Sequence, residues 1–345
     1  MLEHAFGRLC NVTASAPLLR SVPPDAEWFG ERITELLAGL TTAFASTGEL
    51  AGLSPQSVEI VVAEDVAAAV KSLATEVIGV ESLQDFSLER VGGTVTGKTM
   101  FRDVAHEFPV VVLDAAVFRD ESAICRVGEI QITAHELAHA FIGQLRAAGG
   151  EPMDPTSLPW EVSRWIARYV IEEYIADSIA ESVLGRCGTV TQADGTTRPL
   201  ACVDFAECAP YFVSAAQETL DNIAETIHDY RLGLIDLETM WLAVQPRTSQ
   251  MLIALAHAQA EHDHVSGHPG PYATDGAAAP LDRAWRDVCA CFSVPLFEGA
   301  ERFVQAEQAA LDRAGKAVLG LWRELGLTFR PEGAAFYISV APPTH

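Results

Sequence analysis

The chain has 345 residues, 49% of them hydrophobic, which is enough to bury one large core or two smaller ones. Its 47 acidic residues against 23 basic ones leave a formal charge of −24. That balance argues against a nucleic-acid backbone or an anionic membrane surface as partner, and it favours neutral or basic ligands. The seven cysteines are odd in number and form no dense framework, the start Met1-Leu2-Glu3-His4-Ala5 lacks a basic-then-apolar leader pattern, and no run approaches the ~18 apolar residues of a membrane span. The expectation is a cytoplasmic protein.

In chain order, residues 1–55 read as an N-terminal helical segment, with breakers at Pro17, Pro23 and Pro24 and an amphipathic helix over Ala26 to Ala45. Ser57 to Val62 reads as a short strand or a helix start, and Glu64 to Val77 as helix. β signals follow: Phe86 to Val91 alternates, Gly92-Gly93 marks a turn, and Thr94 to Met100 is rich in β-branched residues. Phe108 to Leu113 is a compact apolar strand. A helix is predicted over about 128–148 and another over Trp160 to Gly185. Beyond it, residues 187–210 read as an irregular insertion with a hairpin at Asp194-Gly195. Helices return at about 211–231, 236–264 (interrupted near Pro246), 281–292 and 298–325, and Ala335 to Val340 reads as a last strand. The expected organisation is therefore 1–55, a core over 56–186, and a helical part over 187–345.

The first of the two central helices contains His135-Glu136-Leu137-Ala138-His139. Positions i and i+4 share one helix face, so His135 and His139 can aim two imidazoles at one metal ion, and Glu136 on the flank can reach a metal-bound water. A catalytic zinc takes a third protein ligand and keeps one position for solvent. On the second helix the apolar stripe through Ile166, Tyr169 and Val170 continues into Glu173, Ala176, Asp177 and Ala180, which turns two acids inward. A buried carboxylate is costly unless it is paired or bound to metal. Glu173 is thus the expected third ligand. Asp177, one turn on, is placed to accept the free N–H of a ligating histidine and so fix its ring. Glu172, about 100° around the helix, reads as solvated.

His-Glu-Leu-Ala-His followed by Glu172-Glu173-Tyr174-Ile175-Ala176-Asp177 resembles the gluzincin metallopeptidases, in particular the HtpX-like, minigluzincin and ImmA/IrrE-like groups. The resemblance covers about residues 90–185. It implies an α+β, zincin-like fold, predominantly helical, with a small sheet flanking the motif helix. It implies that His135, His139 and Glu173 bind Zn2+, that Glu136 is the general base, that Asp177 supports a zinc-bound histidine, and that the substrate is a peptide or protein. The metzincin extension is absent, because Ile142 and Leu145 stand where Gly and His belong. Many HtpX-like members are membrane-embedded, and this chain departs from them in having no apolar span. The resemblance also implies a downstream residue that stabilises the oxyanion. His228 is the candidate, with Tyr174 a further one, and the alternative for His228 is a helix-end histidine facing the dipole or solvent. In such enzymes an edge strand holds the substrate by β-augmentation. Phe108 to Asp114, with Val111, Val112 and Leu113, is the candidate, and the alternative is a buried central strand, because the run does not alternate.

Two rival readings stand beside this one. Gly92 to Thr99 formally matches a nucleotide-binding phosphate loop, although its β-branched residues and the short distance to the next strand favour a hairpin. A zinc-stabilised helical binding protein without catalysis would use the same ligands, with a fourth protein ligand closing the site. His262, Asp263, His264 and His268 form a metal-friendly cluster in an acidic segment, read as solvated, and Cys289-Ala290-Cys291 is too tightly spaced for a zinc ribbon.

Overall fold

The computed structural model describes residues 18–20, 36, 58–77, 89–90, 93–94, 96–101, 109–119, 123–150, 159–187, 189–191, 197–199, 205–266, 279–295, 298–332 and 335–341. Of the helix expected over Ala26 to Ala45 only Leu36 is among them, and the turn expected at Asp194-Gly195 and His268 lie outside them. The strands are β1 (Leu18–Arg20), β2 (Glu59–Ala63), β3 (Glu89–Arg90), β4 (Gly93–Thr94), β5 (Gly97–Phe101), β6 (Pro109–Asp114), β7 (Thr189–Thr191), β8 (Thr197–Pro199), β9 (Leu327–Glu332) and β10 (Ala335–Val340). The helices are α1 (Val66–Val77), α2 (Ala123–Ala148), α3 (Pro159–Cys187), α4 (Phe205–Arg231), α5 (Leu237–Ser266), α6 (Ala279–Cys289) and α7 (Ala300–Glu324). The protein is thus α+β and helix-rich, with a small sheet. Among the described residues no helix is long and apolar enough to cross a membrane.

Two compact units form. The first draws on Met1–Glu151, Ala176–Asp204 and Leu296–Val304, the second on Pro152–Ile175, Phe205–Pro295 and Gln305–His345. The division falls inside α3, which is one unbroken helix.

The first unit is built on a four-stranded sheet in the order β1-β2-β6-β5. β1, β2 and β6 run parallel, and β5 closes the edge antiparallel to β6, with Thr99 opposite Val111 and Met100 opposite Val110. Because strand side chains alternate, this register fixes two faces. Met100, Val110, Val112 and Val61 pack with Val66, Val70 and Leu73 of α1 on one of them. Gly97, Thr99 and Phe101 share the other, where β5 and β6 pack on α2. Asp65 caps α1 by accepting the Ala68 N–H at 2.9 Å.

This topology answers the open question about Val111, Val112 and Leu113. They are fully buried in β6, an interior strand with both neighbours paired, so they cannot serve as the edge that accepts a substrate strand. The edge is β5. The same strand decides the geometry of the phosphate-loop motif. Lys98 and Thr99 lie in extended backbone paired with β6, whereas a phosphate loop needs a helix to open there.

In the second unit α4 and α5 pack along one another, joined by a short turn. Asp236 caps α5, accepting the Thr239 N–H at 2.7 Å. Trp241, Trp322, Phe329 and Phe336 cluster where α5 and α7 meet the β9–β10 hairpin. Contrary to the sequence expectation, α5 is not interrupted at Pro246. A proline removes the bond to the carbonyl four residues back, here Leu242, and both residues are exposed, so water can reach that carbonyl.

Candidate metal centre

α2 and α3 supply the site. α2 begins earlier than expected, at Ala123, and its last three turns are almost wholly buried. α3 opens with Pro159 as its first residue, where the missing N–H has no partner to lose. One face of α3 is buried at Ile166, Val170, Glu173, Ala176, Asp177, Ala180 and Val183. The inward turn of both acids expected from the sequence is present, at 4% and 8% exposure. Tyr169 departs from the expected stripe and is about half exposed, while Arg168 is buried with its guanidinium 5.3 Å from the Trp165 ring. Glu172 is half-buried rather than solvated.

The polar groups of the two helices meet in four-residue steps. Gln131 donates to Glu181 at 2.9 Å, and His135 Nδ1 lies 2.7 Å from Asp177 Oδ1. One turn further along α2, His139 shares a compact group with Glu173 and His135, whose ligand atoms all lie within 4.8 Å of one another. Residues 131, 135 and 139 rise along α2 as 181, 177 and 173 descend along α3. One turn per step is what keeps each successive pair on the facing surfaces.

The contact with Asp177 sets the chemistry of His135. The carboxylate accepts the Nδ1 proton, which leaves Nε2 with its lone pair outward. That Nε2 faces His139 Nε2 at 3.0 Å, with the rings edge to face. Two nitrogens bound to one tetrahedral zinc at about 2.0–2.1 Å lie about 3.3 Å apart, so the pair is spaced as joint ligands are. Two neutral nitrogens and one carboxylate are a donor set that a divalent transition ion takes readily. Among the described residues this is the one cluster of three such groups that could hold a metal ion.

Glu136 is 7% exposed and points to the sheet. Thr99 Oγ1 on β5 lies 2.7 Å from its Oε2 and 2.7 Å from its main-chain carbonyl oxygen. Two glycines of the contact have a neighbour where a Cβ would stand. A Cβ on Gly97 would sit 2.7 Å from Glu136 Cγ, and one on Gly143 would sit 2.1 Å from Phe101 Cζ. Neither glycine nor Thr99 was singled out as a site residue by the sequence. Gly97 and Thr99 carry no site signal beyond the strand and phosphate-loop readings, because Thr99 meets Glu136 across 37 positions of sequence.

The other candidates are not members of this cluster. His228 is exposed in the last turn of α4. Tyr174 donates its hydroxyl to Asp263 at 2.8 Å and stacks on Phe292 at 4.0 Å, so its oxygen is engaged within the second unit. His262 lies 3.3 Å from Asp263, and His257 packs on Phe212. Cys289 donates to Gln259, and burial pushes its thiol far up. Set against known protein families, curated proteins and solved structures, the chain matches none.

Proposed function

We propose that the protein is a zinc-dependent peptidase of the zincin type, with His135, His139 and Glu173 as the metal ligands and Glu136 as general base. One observation carries the reading: two helices bring two imidazoles and a buried carboxylate within 4.8 Å of one another, and the residue between the histidines is a glutamate. A zinc ion held by these three residues would supply Lewis acidity, which would lower the pKa of a water and polarise a carbonyl. Glu136 takes the proton from the attacking water and delivers it to the leaving amine nitrogen. Asp177 keeps His135 in the tautomer that presents Nε2. An extended peptide is the substrate form that fits, because β5 is an edge strand whose outer side has no strand partner among the described residues. The charge of −24 favours neutral or basic segments.

The rival readings have less support. A closed structural zinc site takes four protein ligands, and the cluster among the described residues offers three. The phosphate-loop motif lacks its helix.

The test is a peptide-library digest with zinc-loaded protein, run beside Glu136→Gln. The substitution keeps the shape and removes the base, so zinc stays bound while hydrolysis falls by about 10²- to 10⁴-fold. A fully active Glu136→Gln protein contradicts the mechanism.

A further inference from the structure

We infer that Thr99 and Gly97 on the edge strand are positioning residues for Glu136, and that they select Oε1 as the carboxylate oxygen that handles the proton. The inference rests on the peptidase reading above and deepens it.

Two independent observations meet on one strand face. The single Thr99 hydroxyl is 2.7 Å from Glu136 Oε2 and 2.7 Å from the Glu136 carbonyl oxygen. Its single proton is shared between, or given to one of, these two acceptors, which holds the end of the side chain beside its own main chain. Oε1 has no hydrogen-bond partner among the described residues and lies above Gly97, where a Cβ would come within 2.8 Å of it. Threonine holds one oxygen and glycine leaves room for the other. Strand periodicity puts 97 and 99 on the same side, and Phe101, the next residue on that side, packs at Gly143 one heptad along α2. β5 is thereby seated against the motif helix at both ends of the contact.

The atoms that must yield to an alanine at position 97 belong to the flexible Glu136 side chain, and the Gly97 backbone is not in the left-handed region. Gly97→Ala therefore displaces the base and leaves the fold in place. A carboxylate moved by about 1 Å costs on the order of 10²-fold in rate.

The experiment uses the full chain, zinc-loaded, with a peptide that the parent cleaves. Thr99→Val and Gly97→Ala are expected to lower kcat by about 10- to 100-fold with KM within about twofold and zinc content unchanged. Thr99→Ser, which restores the hydroxyl, recovers most of the rate. A second measurement needs no activity. In zinc-free protein the urea midpoints of Thr99→Val, Glu136→Ala and the double variant are compared, and the two single shifts are expected not to add. Additive midpoints, or a Thr99→Val protein with the parent's kcat, overturn the proposal. An inert parent overturns the peptidase reading instead, while the zinc-free cycle still decides whether Thr99 holds Glu136.

Discussion

Asp177 Oδ1 lies 2.7 Å from Nδ1 of His135, with both side chains largely buried, at 11% and 13% exposure. The pairing explains why an acid four residues after the proposed ligand Glu173 faces inward at all. It also predicts a metal-affinity effect without loss of a ligand. Asp177→Asn keeps the size and loses the charge and the strong acceptor, so zinc affinity is expected to drop by about 10- to 100-fold, read by competition with a chelator. Unchanged affinity would mean that the carboxylate serves packing alone.

Gly143 is the second position that lets β5 reach α2. An added methyl would meet the Phe101 ring at 2.1 Å. Gly143→Ala is expected to destabilise the first unit by about 1–3 kcal/mol, despite alanine's better helix propensity, measured by urea denaturation. A stabilised variant would show that the ring moves aside freely.

Much of this arrangement could be read from the sequence, for physical reasons that differ between elements. α2 and α3 announce themselves because their apolar positions recur every 3.6 residues, and the same period turned Glu173 and Asp177 inward. β10 stands out through its β-branched and aromatic content, and its span agrees with the expectation. β9 lies outside the expected elements, and Pro331 within it removes one backbone donor. The proline is tolerated because, among the described residues, β9 pairs only with β10 and keeps an unpaired side. The continuity of α5 through Pro246 depends on the exposure of Leu242, which no local pattern reveals. The run of valines in β6 left edge and interior equally open. Pairing decided for the interior, as uniform burial on both faces implies. The role of Thr99 was out of reach because it depends on residues 37 positions apart.

In the second unit Trp322 Nε1 donates to Thr248 Oγ1 at 2.9 Å, and Thr248 in turn donates to the Val244 carbonyl at 2.8 Å. Both residues are fully buried. Thr248→Val preserves the volume and strands the indole N–H, so a loss of about 1–3 kcal/mol is expected in chemical denaturation. A neutral substitution would show that the indole finds another acceptor.

Asp236 titrates below the usual carboxylate range, chiefly because the Thr239 N–H bonds to it, with the Thr239 hydroxyl adding to the effect. Its folded pKa is depressed, so the cap contributes stability above the unfolded value near 3.8 and loses it as pH falls through the folded one. Asp236→Asn retains an acceptor and cannot titrate. The variant should therefore show a flatter unfolding midpoint against pH below about 4 than the parent, with little change near neutrality. Parallel profiles would remove Asp236 from the acid response.

Metal analysis of the purified parent and of Glu173→Ala, each dialysed against zinc and then against zinc-free buffer, tests the centre of the account most directly. The expected result is one zinc per parent chain and a marked shortfall in the variant, whose metal would hang from His135 and His139 alone. Equal zinc in the two proteins, or none in the parent, contradicts the assignment of His135, His139 and Glu173 as a metal centre.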